Sequence, residues 1–230
     1  MVVVWYMRKK REFLRQRFFQ QINRVRMENL RSRISPHFTF NVLGREINHF
    51  NGSEEVKHNL MELVKYLRRS LELTEKLSVS LQDELDFVRT YIELERGRVG
   101  ENFVATITVE DGLDATRIMI PSMIVQIPVE NAIKHGLAGK DGKKELMVYV
   151  SRETNGIRIT VTDNGRGYLP QVVSATRGTG TGLKVLYQTI QLLNTKNKSD
   201  KIRFNITNRS DGQTGTEVSV YIPFRFSYDL

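Results

Sequence analysis

The chain has 230 residues, 40% hydrophobic and 27% charged, a composition that excludes a disordered chain and fits one or two globular domains. It contains no cysteine, which excludes disulfides, thiolate zinc sites and cysteine nucleophiles and favours a reducing compartment. Residues 8–33 hold ten basic and two acidic side chains and so carry eight of the nine net positive charges. A basic block at one end is a local device and not a whole-protein field.

Before that block stands Met1-Val2-Val3-Val4-Trp5-Tyr6-Met7, followed at once by Arg8-Lys9-Lys10-Arg11. These seven residues are too few to span a bilayer, which needs about 20. They read either as the last turns of a membrane helix with an aromatic belt and a positive-inside flank, or as a frayed N-terminal extension. The first reading predicts a transmembrane segment upstream and this chain on the cytoplasmic side of the inner (cytoplasmic) membrane. The charges follow the apolar stretch instead of preceding it, which excludes a signal peptide.

Residues 12–35 lack Pro and Gly and read as a helix with a stripe at Met27, Leu30 and Ile34 that continues to His37 and Asn41. Pro36 predicts a kink there. Phe40, Leu43 and Ile47 carry an apolar face beyond it. Asn51-Gly52-Ser53 is a turn, with Ser53 capping a second helix patterned by Leu60, Leu63, Val64, Leu67, Leu71 and Thr74. Two such helices form an antiparallel hairpin, and dimerisation into a four-helix bundle would bury both stripes.

Ser78-Val79-Ser80 separates the hairpin from a third helix. Ser80 and Asp83 make a capping box, Leu81, Leu85, Val88 and Ile92 its stripe, and Gly97 its expected end. Strand character follows at 103–109, then a helix from Pro121 to Leu137. Leu146, Val148 and Val150 alternate, as do Ile157, Ile159 and Val161, with a turn at Asn155-Gly156. Residues 164–182 read as a Gly- and Thr-rich loop, and Leu183 to Leu193 as a helix. Ile202, Phe204 and Ile206 with Val218, Val220 and Ile222 form a last hairpin around Ser210-Asp211-Gly212. The expected fold class is α+β. A membrane-proximal end (1–11) leads to a dimerising helical hairpin (12–77) and then to an α/β sandwich (78–230).

Four segments carry chemistry. Ser35-Pro36-His37-Phe38-Thr39-Phe40-Asn41 sets an imidazole beside a helix kink. Val129-Glu130-Asn131-Ala132-Ile133-Lys134-His135-Gly136 puts an amide and a carboxylate inside a helix, where Asn is mildly unfavourable. The Asn131 oxygen could ligate Mg²⁺, with Lys134 and His135 one turn on to reach phosphate; the plain alternative is a solvated helix face. Asp163-Asn164-Gly165-Arg166-Gly167 ends a strand. It is either a polar turn or a carboxylate that accepts from an exocyclic amine, beside glycines that admit a flat ring. Gly178-Thr179-Gly180-Thr181-Gly182-Leu183 precedes a helix and is either a flexible loop or a phosphate cradle, without the Gly-Lys of a Walker loop.

The order of these four segments resembles the LytS-type branch of sensor histidine kinases. Those kinases share the Bergerat ATP-binding fold with gyrase, Hsp90 and MutL. Residues 36–41 resemble the phosphoacceptor box, 130–136 the N box, 163–167 the first glycine box and 180–183 the second. The resemblance implies His37 as phosphoacceptor, with ATP and Mg²⁺ as cofactors. Asn131 would be the Mg²⁺ ligand and Asp163 the adenine-binding carboxylate. Gly165 and Gly167 would line the base and lid hinge, Gly180, Gly182 and Leu183 the phosphates, and 168–179 would form the lid. The chain departs from the family at Thr39, usually Leu, at Ile127-Pro128, usually Pro-Leu, and at Lys184-Val185-Leu186. None of these replaces a proposed ligand.

Near pH 7 a neutral imidazole is a competent nucleophile. Phe38 stands where many histidine kinases carry an acid. Asn41 is therefore expected to orient the ring and Glu130 to take its proton. Ile127 occupies the place of the water-activating Glu of hydrolytic relatives, which favours phosphotransfer over hydrolysis. The implied partners are a second copy of the chain and a response regulator, which in this family often carries a LytTR DNA-binding domain. Three rivals are a pseudokinase scaffold, a gyrase-type ATPase and a nucleic-acid module; the basic block lacks the interleaved aromatics of the last, so no direct nucleic-acid contact is expected.

Overall fold

The computed structural model describes Lys9 and residues 54–168, 181–195, 197 and 199–228. The expected first hairpin arm, its kink at Pro36 and the apolar start of the chain lie outside these residues. Helix α1 (Glu54–Glu75) coincides with the expected second helix. Strand β1 (Ser78–Ser80) leads into α2 (Leu81–Val99). Then come β2 (Phe103–Val109), β3 (Met119–Pro121), α3 (Gln126–Asn131), β4 (Lys144–Glu153) and β5 (Gly156–Asp163). Helix α4 (Thr181–Asn194), β6 (Arg203–Asn208) and β7 (Thr216–Pro223) complete the described chain. No helix among the described residues is long and apolar enough to cross a membrane.

Five strands form one mixed sheet in the order β2-β4-β5-β7-β6, parallel only between β2 and β4. Their period of two puts Leu146, Val148 and Val150 opposite Asp163, Val161 and Ile159 on one face. That face is buried beneath α2, α3 and α4, where Leu85, Val88, Ile133, Leu186 and Ile190 complete the core. On the other face Val104, Met147 and Tyr149 remain exposed. The result is a two-layer sandwich.

The expected capping box forms. The Ser80 hydroxyl accepts the Asp83 amide at 3.0 Å and donates to the Asp83 carboxylate at 2.9 Å. Helix α2 passes through Gly97 and stops at Val99, where Gly100 at φ +106° turns the chain. The expected single helix from Pro121 to Leu137 is broken up. Pro121 ends β3, the helix proper starts at Gln126, and residues 132–136 form a π turn in which the Leu137 amide donates to the Ala132 carbonyl at 2.8 Å.

Ser78–Ser80 is more than a spacer. It pairs antiparallel with Met119–Pro121, and the Ser122 hydroxyl donates to the Leu73 carbonyl near the end of α1. On α1 itself, Tyr66 stacks on Phe87 of α2 with centroids 4.9 Å apart, and Arg69 pairs with Asp83. Helix α1 is thus fastened to the sandwich by a ribbon, a stack and an ion pair. Replacing Ser80 by Ala removes the α2 cap and should lower stability by about 1 kcal/mol in urea unfolding, with the denaturant slope unchanged.

Candidate active site

The inward row of β5 runs Ile157, Ile159, Val161 and then Asp163, so the apolar alternation ends in a carboxylate only 3% exposed. Three glycines wall it. A Cβ on Gly136 would lie 2.8 Å from the Asp163 carboxyl carbon; on Gly165 it would overlap the Gly136 carbonyl, and on Gly215 the Asp163 carbonyl. One carboxylate oxygen accepts the Gly165 amide at 2.7 Å and the Thr216 amide at 3.4 Å. Burial pushes the Asp163 carboxyl above its ordinary value. Hydrogen bonds from Gly165 and from the amide and hydroxyl of Thr216, with Arg209 nearby, offset part of that rise.

Beside this cradle runs α3. Pro128 fits in its first turns because the missing N–H is needed only further along a helix. The Asn131 side chain donates through Nδ2 to the Ile127 carbonyl at 2.8 Å. Its Oδ1 remains an acceptor. The π turn that follows changes the phase of the chain relative to a continuous α-helix, and Gly136 comes to rest against Asp163. The Gly136 carbonyl accepts the Arg166 amide, and the His135 carbonyl accepts the Arg166 guanidinium at 2.8 Å. The helix and the turn after β5 are thereby locked together.

Two family models match, in the order the fold demands. One is described as "Histidine kinase" and covers residues 25–103. The other, "Histidine kinase-, DNA gyrase B-, and HSP90-like ATPase", covers residues 116–225. The chain belongs to the LytS-type sensor histidine kinases. It is 28% identical to the sensor histidine kinase YpdA of Escherichia coli over 89% of this chain and 35% of that protein. It is 32% identical to the sensor histidine kinase/phosphatase LytS of Staphylococcus aureus over 82% of this chain and 33% of that protein. It therefore spans about a third of the length of these relatives. The histidine kinase domain of a blue-light activated kinase from Erythrobacter litoralis superposes with a TM-score of 0.49 at 15% identity, covering 90% of this chain and 94% of that one. The fold described above stands on its own strand order and not on that likeness.

Not every predicted kinase residue lies within the described structure. His37, Asn41, Gly180 and the lid from residue 169 onward lie outside it. Gly182 and Leu183 fall in the first turn of α4, which packs beside α3. Asn131, Asp163, Gly165 and His135 gather at the junction of α3 with the end of β5. Gly167 adopts φ +83°, and a side chain there would strike the Asn208 amide 2.7 Å away. Lys134 does not stand free for phosphate: its ammonium lies 2.6 Å from the Glu130 carboxylate, with both side chains largely buried. Burial also pushes the His135 imidazole below its ordinary value, aided by Lys134 and Arg166 and opposed by Glu130.

The structure adds residues that the motifs did not mark. Thr216 and Gly215 complete the Asp163 cradle from β7. Thr216 had a legible signal, since it ends the inward row Ile222, Val220, Val218 exactly as Asp163 ends its own. Asn208 accepts the Tyr168 amide at 2.6 Å and donates to its carbonyl, clamping the chain where the expected lid begins. Among the described residues no cluster of three or more His, Cys, Asp or Glu could hold a metal. A single amide oxygen is still a fitting ligand for Mg²⁺, which takes most of its ligands from waters and phosphates.

The raised pKa of Asp163 sets the sign of a stability test. The folded chain holds that proton more tightly than the unfolded one, so ionising the group costs stability above the raised pKa and nothing below the ordinary carboxylate range. Asp163→Asn should raise the thermal midpoint of the nucleotide-free protein at neutral pH. The gain should fade as the pH drops to about 4, read by thermal melts across pH.

Proposed function

We propose that the chain is the cytoplasmic core of a membrane-associated kinase, which phosphorylates His37 from Mg-ATP and hands the phosphoryl group to an aspartate of a response regulator. The carrying observation is the buried Asp163 carboxylate in its cradle of glycines. A buried carboxylate with glycines close beside it is matched to an exocyclic amine on a planar base. Bound Mg²⁺ would neutralise charge on the phosphates and hold them in line. Asn131 would hold that metal, and Gly182 with Leu183 at the start of α4 would face the phosphates together with Gly180.

The Glu130–Lys134 ion pair gives the proton a route. A triphosphate that draws Lys134 to itself loosens its hold on Glu130, and that carboxylate can accept the imidazole proton. Asn41 would orient the His37 ring. Phosphoryl transfer has a loose transition state, so these contacts act mainly by position and charge. Ile127 is buried in the core at the place where a hydrolytic enzyme of this superfamily carries its water-activating Glu, which supports transfer over hydrolysis. Residues 12–77 are proposed as a dimeric four-helix bundle that presents His37, with 78–230 as the ATP-binding unit. The response regulator is proposed to carry a LytTR domain.

Incubation with Mg-ATP, followed by mapping of the modified residue by mass spectrometry at neutral-to-basic pH, tests the reading. The phosphoryl group should sit on His37, and His37→Ala should abolish acid-labile labelling while ATP still binds; labelling that survives in that variant overturns the assignment. ATP binding without any phosphohistidine would point to a scaffold instead. Glu130→Gln should slow labelling by about 10²-fold with ATP affinity nearly unchanged, measured by quench kinetics beside equilibrium binding.

A further inference from the structure

Glu84 on α2 is completely buried, yet it stands in none of the sequence motifs. One carboxylate oxygen accepts the Met123 amide at 2.8 Å, and the other accepts the amides of Val125 at 3.0 Å and Gln126 at 3.2 Å. These amides lead into α3 at its N-terminus, where no side chain of the helix's own start supplies a cap. A helix of six residues is marginal by itself, so its placement depends on what holds its ends. A carboxylate at that end also suits the helix dipole. In the same segment Met123 is the one described non-glycine residue at positive φ, +70°, a conformation that persists only where surrounding contacts enforce it. From Glu84 the path is short. The anchored segment continues directly into Ile127, whose amide bonds the Met123 carbonyl at 3.2 Å and whose own carbonyl holds the Asn131 side chain.

We propose that Glu84 is a positioning residue for the metal-binding amide: its buried carboxylate fixes where α3 begins and so where the Asn131 oxygen ends. The inference rests on the reading of Asn131 as the Mg²⁺ ligand. Glu84 touches neither nucleotide nor metal, and it acts through the backbone of 123–126. Its neighbour Asp83 holds Arg69 of α1, so the residue also sits where the hairpin arm meets the sandwich.

The test uses the full chain with Glu84→Gln, which keeps the shape but turns one acceptor into a donor facing a backbone amide. Three quantities are read: amide hydrogen exchange without nucleotide, affinity for a fluorescent ATP analogue in EDTA, and the Mg²⁺ concentration that gives half-maximal enhancement of that binding. Exchange over 123–131 should quicken while β4 and β5 keep their protection. The Mg²⁺ requirement should rise about tenfold, as for loss of an outer-shell support, with the affinity in EDTA unchanged. Adding Met123→Gly, which takes the positive φ freely, should restore most of the Mg²⁺ response. A wild-type Mg²⁺ requirement in a folded Glu84→Gln protein overturns the proposal, and so does an affinity that falls equally in EDTA. Should Glu84→Gln not fold, the double variant is measured in its place; if that also fails to fold, Glu84 supports the whole domain and the proposal is overturned. Asn131→Ala separates the two layers. If it leaves the Mg²⁺ response intact, the metal reading itself fails, whatever the exchange data say of Glu84.

Discussion

An ionisable group at the end of an apolar row is the constraint around which this molecule is organised. Asp163 occupies a core-facing position of the central strand, where a hydrophobic side chain would be the ordinary choice. Keeping a carboxylate there costs desolvation, which its raised pKa expresses. The cost is held down by amides from Gly165 and Thr216, and these in turn require backbone to come very close. Close approach requires glycine on three separate segments: at the end of the π turn, after β5 and before β7. The packing of α3 on the sheet, the turn after β5 and the start of β7 all follow from that one placement.

Much of this arrangement is visible in residue order alone. Alternation marks β2, β4, β5 and β7 because each buries a single face, and the Ser80–Asp83 box marks the start of α2 because capping is local. Asp163 and Asn131 are legible for a related reason: each is a polar residue where the local pattern calls for something else. What is hidden is non-local or too short to show a period. Three-residue strands such as β1 and β3 carry no alternation to read. Gly97 looks like a stop, yet the helix runs through it, because burial of Val99 and a glycine cap at Gly100 outweigh a local penalty of about 1 kcal/mol. Glu84 reaches amides 39 to 42 positions away, and no window along the chain contains both partners.

The join between α1 and the sandwich is set by contacts that lie far apart in the sequence. The short polar segment Ser78–Ser80 reads as a spacer. Instead it is a paired strand, and the Ser122 hydroxyl, the Tyr66 stack and the Arg69–Asp83 pair fasten α1 on three further sides. Movement of the two parts against each other must break or slide these contacts, which gives the docked arrangement a defined energetic footing.

The cradle has a bearing on how the protein can escape inhibition. Its glycines leave no room for a Cβ: a side chain at Gly136 would strike the Asp163 carboxylate, and one at Gly165 or Gly215 a main-chain carbonyl. Any codon change at Gly165 or Gly215 adds bulk against backbone that has nowhere to retreat. A compound that binds against the Asp163 carboxylate would therefore meet few single-step resistance routes through these glycines that leave the cradle intact.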